Sequence, residues 1–444
     1  MLRQVHPPGE PLARLYFESP ALVRAREQGL LVEGWRLDPG DLPPQLREGA
    51  VPDGTWMEHP PVPFPTYPSE WTWSMLRDAA SATLDLALGL LPEGLEPKDA
   101  TPWNLLFRDT RPLFVDALSF EARPAARPYW KAYGQFLSTF LYPLLVHRER
   151  GLSLARAFAE RRGFTPAECA RLLGASAWTS SLAFRRVLLP HWLAKGNWRP
   201  SSLQISPEVA NRSIGRLLAN LREEIQGLPA PRAVSAWSGY GEALPYTLEG
   251  AQEKRAWVGD VLGRMGSPLE ILDLGANTGV FSVLACERGH RVVAVESDPG
   301  CADALFLQAR AQALPVLPLV MNWGAPTPAA GWAGGEVRSF ASRSRDRFDL
   351  VLALAFMHHL RFAEGVPLGA QIAQMAEHTR RHLILEWVGP GDPMVRSLAQ
   401  AHGFMPADYT QETLESLLDG SFRVVERLGL PGGERWLYWM EKRA

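Results

Sequence analysis

Four groups of residues have types and spacing suited to chemistry, and all four fall in the second half of the chain. The first is Ile271-Leu-Asp-Leu-Gly-Ala-Asn-Thr-Gly279, an apolar run that ends at Asp273, turns at Gly275 and enters a helix near Gly279. Glycine admits a ligand close to the backbone, and the N–H groups at a helix start suit a carboxylate. The second is Glu296, which ends Arg291-Val-Val-Ala-Val-Glu296 about twenty residues past the turn. A carboxylate there can accept hydrogen bonds from both hydroxyls of a ribose. The third is His358 and His359, just past the apolar run from Phe348 to Ala355. Imidazole titrates near neutral pH, so either one can act as a general base; otherwise one caps a helix or packs beside the ligand. Adjacent histidines diverge on a helix, so the pair is not expected to chelate a metal, and no metal is expected here. The fourth is Glu386, ending His-Leu-Ile-Leu-Glu386 at the edge where sheets of this kind bind ligands. It either meets substrate or caps its loop.

The turn lacks the full G-x-G-x-x-G pattern of dinucleotide-binding sheets. Asp-Leu-Gly-Ala-Asn-Thr-Gly instead resembles motif I of the class I S-adenosylmethionine (SAM)-dependent methyltransferases. That resemblance implies SAM as cofactor, with Asp273, Gly275, Ala276, Asn277 and Gly279 around its methionine part, Glu296 on its ribose and Ser297 beside its adenine. It also brings Asn322 and Trp323 to a place where the family often has an acid against the adenine. Asn322 departs from that acid, although its amide can make one hydrogen bond or cap a loop. The resemblance sets Ala355 at the strand end that faces the methyl group, so His358 or His359 would deprotonate a hydroxyl as it attacks. The N/D-P-P-aromatic signature of amino-methyltransferases is absent there, as is the Pro-Cys nucleophile of cytosine C5 enzymes. By exclusion, the expected acceptor is a hydroxyl of a small molecule or a glycan.

Positioning these groups requires a sheet. After residue 250, strand-like runs (EILDLG, RVVAVE, VLPLVM, FDLVLALA, HLILEWV) alternate with helical ones (VFSVLACERG, CADALFLQARAQA), the pattern of a parallel sheet covered on both faces. A helix YTQETLESLLDG and two strands, FRVVERL and ERWLYWME, close the chain. The fold class expected is therefore α/β, a Rossmann-like class I methyltransferase with a seven-stranded mixed sheet over residues 231–444. Before it comes an N-terminal α+β, mostly helical, partly kinase-like region, divided into 1–126 and a helical part, 127–230, with GLPAPRA as the linker. Trp237, Tyr240, Tyr246 and Lys254 fall where methyltransferases often lay a helix over the cofactor. The Pro/Gly/Ser-rich stretch from Asn322 to Arg347 carries Arg338, Arg343, Arg345 and Arg347. It either offers an arginine to an anionic substrate or is a solvated basic loop.

In the N-terminal half, Lys98-Asp-Ala-Thr-Pro-Trp-Asn104 followed by Pro112-Leu-Phe-Val-Asp116 resembles a kinase catalytic loop of the aminoglycoside-phosphotransferase type. Asp99, Asn104 and Asp116 match that spacing. The preceding histidine, the glycine-rich loop and the V-A-x-K strand are missing, so a degenerate scaffold or a plain hairpin with turn-forming Asp and Asn are the competing readings. The segments HPPVPFPTYPSEW, MLRDAASATLDL, KDATPWNLLF, PLFVDALSFE, DLGANTG, LALAFMHHL and LILEWVGPGDP together resemble the bacterial methyltransferase family related to the host-specific nodulation protein NoeA. The family implies methyl transfer and leaves the acceptor open. SAM binding without catalysis, or phosphotransfer by the first half, are the alternatives.

Charge and cysteine content narrow the setting. Lys and Arg number 46 against 48 Asp and Glu, so no global field draws the chain to nucleic acid. Three cysteines without C-x-x-C spacing suit a reducing cytoplasm. The apolar run Phe136–Val146 is too short for a membrane span and reads as a buried helix. Oligomeric state is not legible.

Overall fold

The computed structural model describes residues 1–48, 54–195, 206–231, 248–266 and 268–443. The chain divides into two compact units, residues 1–232 and 233–444, and the helices within 127–230 belong to the first.

In the first unit, β1 (Leu2–Val5), β2 (Trp35–Leu37) and β3 (Thr55–Glu58) form an antiparallel sheet in the order β1-β3-β2. The run of strong helix formers from Ser74 to Leu90 is α1 (Trp73–Leu90); Thr72 caps it by accepting the Met75 N–H, and Leu76, Ala80, Leu84 and Ala87 are buried. Then β4 (Leu95–Pro97) pairs antiparallel with β7 (Phe120–Ala122). Between them β5 (Leu105–Arg108) and β6 (Arg111–Phe114) make the expected hairpin, with Asp109 in the turn at φ 57°. Further on lie α2 (Leu189–Lys195) and α3 (Pro207–Gln226), the latter packed on α1 through Ile214, Leu218 and Leu221. The weakly periodic start also holds two helices, Glu10–Glu18 and Pro20–Glu27. Each has about two turns, too few for an apolar stripe to show in the sequence. The Phe136–Val146 run is buried helix, and among the described residues no helix is long and apolar enough to cross a membrane.

The second unit opens with α4 (Leu248–Arg264). Strands β8 (Glu270–Leu274), β9 (Arg291–Glu296), β10 (Val316–Val320), β11 (Phe348–Ala353) and β12 (Thr379–Val388) are mutually parallel. Helices α5 (Val280–Glu287), α6 (Pro299–Ala311), α7 (Met357–Ala363) and α8 (Leu368–His378) lie between them. The chain returns through β13 (Phe422–Gly429) and β14 (Arg435–Lys442), and β14 inserts antiparallel beside β12. The resulting order is β10-β9-β8-β11-β12-β14-β13. The inner strands are continuous apolar runs because helices cover both faces: Ile271, Leu272, Leu350, Leu352 and Ile384 are wholly buried.

Register decides where the chemistry lands. Asp273 lies opposite Ala294 of β9 and Leu352 of β11, so the carboxyl ends of β8, β9 and β11 finish together. At Gly279, which caps α5 with φ 83°, an added Cβ would sit 2.2 Å from the Leu305 side chain, so the turn and α6 can pack this closely only without a side chain. Ile271 is wholly buried in the core that the sheet makes with α4, α5 and α6, beside such residues as Val258, Leu262 and Leu284, and Ile271→Ala is expected to cost about 2–5 kcal/mol. Urea titration reads this; a loss below about 1 kcal/mol would show that the site collapses around the cavity.

Candidate active site

A cavity of about 570 Å³ opens at that shared strand edge. Of the site residues expected from the sequence, Asp273, Gly275, Ala276, Asn277, Glu296, Ser297, Asn322, Trp323, Ala355, His358 and His359 line it. Gly279 and Glu386 do not. Gly279 packs against α6 instead, and Glu386 sits behind the cavity wall among cations.

The glycine turn is tied to the ribose-type carboxylate. Glu296 Oε2 accepts the Asn277 N–H at 2.8 Å, and its Oε1 accepts the Asp298 N–H at 2.7 Å. Asn277 stands at φ 51°, a conformation that Asn tolerates better than most side chains. Asp273 is buried and accepts from Ser282 Oγ at 2.6 Å. Burial pushes its carboxyl up to about 6, with the Ser282 hydrogen bond acting against the rise. At Gly275 an added Cβ would lie 2.6 Å from the Phe356 ring, so the turn rests on the loop that follows β11.

At the other end, Asn322 Oδ1 accepts the Gly324 N–H at 2.8 Å while its amide donates to Glu364 at 2.9 Å. It therefore caps its loop and lines the cavity at once. Trp323 donates to His378 Nε2 at 3.3 Å and meets Phe356 edge-on. Ala355 leads into α7 at φ 52°, a local strain of the kind that collects at functional sites.

The histidines do not diverge as expected for neighbours on a helix: at the first turn of α7 their ring centroids are 4.1 Å apart. His358 is buried, and its Nε2 has no hydrogen-bond partner among the described residues. Burial holds this imidazole well below its usual range, and the charges of His359, Arg435 and Lys254 add to the effect. Burial, then Arg435, takes His359 down to about 4. Both rings are thus neutral at neutral pH.

Behind them runs a buried chain of charges. Lys254 Nζ of α4 meets Glu386 Oε2 at 2.5 Å, Glu386 Oε1 meets Arg435 at 3.1 Å, and Arg435 Nε meets Asp392 Oδ2 at 2.8 Å. Lys254 also lies 4.7 Å from the Phe281 ring centroid. Lys254 and Arg435 line the cavity; Asp392 caps the helix Pro393–His402. Arg435 and Asp392 escaped sequence reasoning because each is a lone charge far along the chain from the turn it serves. Trp237, Tyr240 and Tyr246 lie outside the described residues.

The arginines of 322–347 do not supply the cavity. Arg343 is buried over Phe340, while Arg345 and Arg347 face Glu377 and Glu270 at 3.5 and 3.6 Å. Arg338 donates to the Ser342 carbonyl. In the first unit, Asp99 is exposed and Asp116 faces Arg3 at 3.7 Å. Among the described residues no three His, Cys, Asp or Glu side chains are grouped to hold a metal ion.

Five parallel strands closed by an antiparallel hairpin, a glycine turn after the central one and a carboxylate ending the next define a class I SAM-dependent methyltransferase. No protein-family model matches the chain. The chain belongs to the family of nodulation protein NoeA: it is 32% identical to that protein of Rhizobium meliloti (strain 1021) over 428 residues, 93% of this chain and 87% of the relative. Among solved structures it is similar to a magnesium protoporphyrin IX methyltransferase of Synechocystis PCC 6803 with bound SAH, at 16% identity, 44% and 84% coverage and a TM-score of 0.33. The N-methyltransferase NodS of Bradyrhizobium japonicum WM9 gives 14%, 44% and 97%, and 0.32. The bifunctional kinase-methyltransferase WbdD gives 19%, 50% and 45%, and 0.33.

Two outcomes test this geometry. Glu386→Gln halves the compensation of two buried cations and should cost about 3–5 kcal/mol in urea titration; a neutral effect would mean that water reaches the charge chain. Acidification is the second. From pH 6.5 down to about 4 the unfolded chain protonates histidines that the folded unit keeps neutral, so His359 and His378 withdraw stability as pH falls. Asp273 opposes them, because its folded carboxyl takes up a proton near pH 6. His359→Gln should flatten the loss by about one proton's slope; an unchanged slope would place that imidazole in water.

Proposed function

We propose that the second unit transfers a methyl group from SAM to a hydroxyl of a small molecule or glycan within this cavity. One observation carries the reading: the glycine turn, Glu296 and the paired imidazoles line one cavity of a volume usual for ligand sites. The chain's own groups fit an adenosyl ligand. Glu296 is anchored by two backbone N–H groups and keeps lone pairs for a ribose diol. Asp273, Gly275, Ala276 and Asn277 surround the methionine part, with Gly279 setting the turn behind them, and Lys254 offers its ammonium to the methionine carboxylate. Ser297, Asn322 and Trp323 take the adenine end, and Ala355 shapes the passage between cofactor and acceptor.

The bound cofactor supplies an electrophilic methyl on a sulfonium, so catalysis asks the protein mainly to align and to exclude water. His358 Nε2 orients the acceptor hydroxyl and takes its proton as the C–O bond forms. A buried imidazole is a weak base, which suits a proton transfer that lags bond formation. Glu386 acts through Lys254 and Arg435 and is a positioning residue. The kinase-like reading of the first unit rests on the spacing of Asp99, Asn104 and Asp116; Arg3 beside Asp116 counts against phosphotransfer there. Three buried thiols, Cys169, Cys286 and Cys301, support a cytoplasmic setting.

Isothermal titration with SAM is expected to give saturable binding that drops at least about tenfold in Asp273→Asn and Glu296→Ala, a loss of about 1.4 kcal/mol or more. Binding that survives both substitutions would remove the cofactor assignment. Wild-type binding with no methyl incorporation across alcohol and glycan acceptors would leave a SAM-binding protein without catalysis.

A further inference from the structure

Exposed large apolar side chains are concentrated in one stretch of the first unit. Trp178, at 60% exposure, comes from the helix Ser176–Thr179, and Phe184 follows at 38%. Leu189, Trp192 and Leu193 stand on one face of α2 at the spacing i, i+3, i+4, each more than two-fifths exposed. The rings make one surface, since the Trp178 and Trp192 centroids lie 5.3 Å apart and those of Phe184 and Trp192 lie 5.8 Å apart. An apolar patch of this kind on a folded domain marks a contact.

Charge says what the contact is. From Cys169 to Pro207 the sequence has no Asp or Glu, yet it carries Arg171, Arg185, Arg186, Lys195 and Arg199, whereas acids slightly outnumber Lys and Arg in the whole chain. Glu224 of α3 meets both Arg185 and Arg186, which leaves one of those two charges over, and Arg171 is exposed. Tryptophans and leucines flanked by a surplus of cations, with no acid in the stretch itself, match the headgroup region of a bilayer, where amphipathic rings settle and anionic headgroups meet Lys and Arg. A second copy of the chain would bring cations against cations. Nucleic acid would leave the leucine face without a partner. We propose that Trp178, Phe184, Leu189, Trp192 and Leu193 form an interfacial surface that seats the protein on membranes containing anionic lipid. The contact is peripheral, and it stands apart from the methyl-transfer reading.

The test is co-sedimentation of the full chain with vesicles of phosphatidylcholine alone and of phosphatidylcholine with phosphatidylglycerol. Binding is expected only to the anionic vesicles, to weaken in high salt, and to fall about tenfold in a Trp178→Ser/Trp192→Ser variant. Because both rings are exposed, the variant should keep the wild-type thermal transition, which separates a lost surface from a lost fold. No association of the wild type with anionic vesicles would overturn the proposal, and so would equal association of the variant. Concentration-dependent dimerisation in sedimentation velocity, abolished by the same substitutions and unaccompanied by vesicle binding, would assign the patch to a second copy and overturn it too.

Discussion

A carboxylate shut away from water must be matched by positive charge, and Glu386 is matched twice. Its partners come from opposite ends of the second unit: Lys254 from the helix that precedes the sheet, and Arg435 from the strand that closes it. Asp392 then holds Arg435 from the loop after β12. Because isolated buried charges are so costly, these segments are bound to one another more strictly than apolar contact would bind them. The cavity inherits its rear wall from that arrangement. β12 offers its carboxylate inward to the protein, while Lys254 of α4 and Arg435 of β14 face the cavity.

This placement accounts for the division of labour around the cavity. The edge formed by β8 and β9 carries two carboxylates, Glu296 tied to backbone N–H groups and Asp273 accepting from the Ser282 hydroxyl, an environment for hydroxyls and for amino groups. The edge beyond β11 carries uncharged imidazoles under a positive field. Desolvation drives both properties. It raises Asp273 and lowers the histidines, and it strengthens any directed hydrogen bond made inside.

The sequence displayed what is local. The turn 271–279 and Glu296 are separated by one helix, so their chemistry and spacing survive in a short stretch of text, and the apolar inner strands announce the sheet. His358 and His359 were visible as residue types, yet the close approach of their rings depends on side-chain rotation at a helix start, which periodicity does not encode. Glu386 was visible at a strand end. Its burial was not, because that depends on Lys254 and Arg435, which are remote in sequence and carry no motif. For the arginines of 322–347 the sequence left two readings open for a similar reason: the carboxylates that meet Arg345 and Arg347, Glu377 and Glu270, lie outside the loop. In the first unit, helices of two turns and strands of three or four residues gave too little pattern to read.

The contact between Gly275 and Phe356 bears on how this enzyme can diversify. The Phe356 ring that lines the cavity is also the floor under the glycine turn at Gly275. A larger or smaller ring at position 356 would change the shape of the cavity, and it would shift the glycine turn by the same step. Changes to the shape of this cavity therefore have an easier route through α7 beyond Met357, or through the rim near Glu364, than through Phe356.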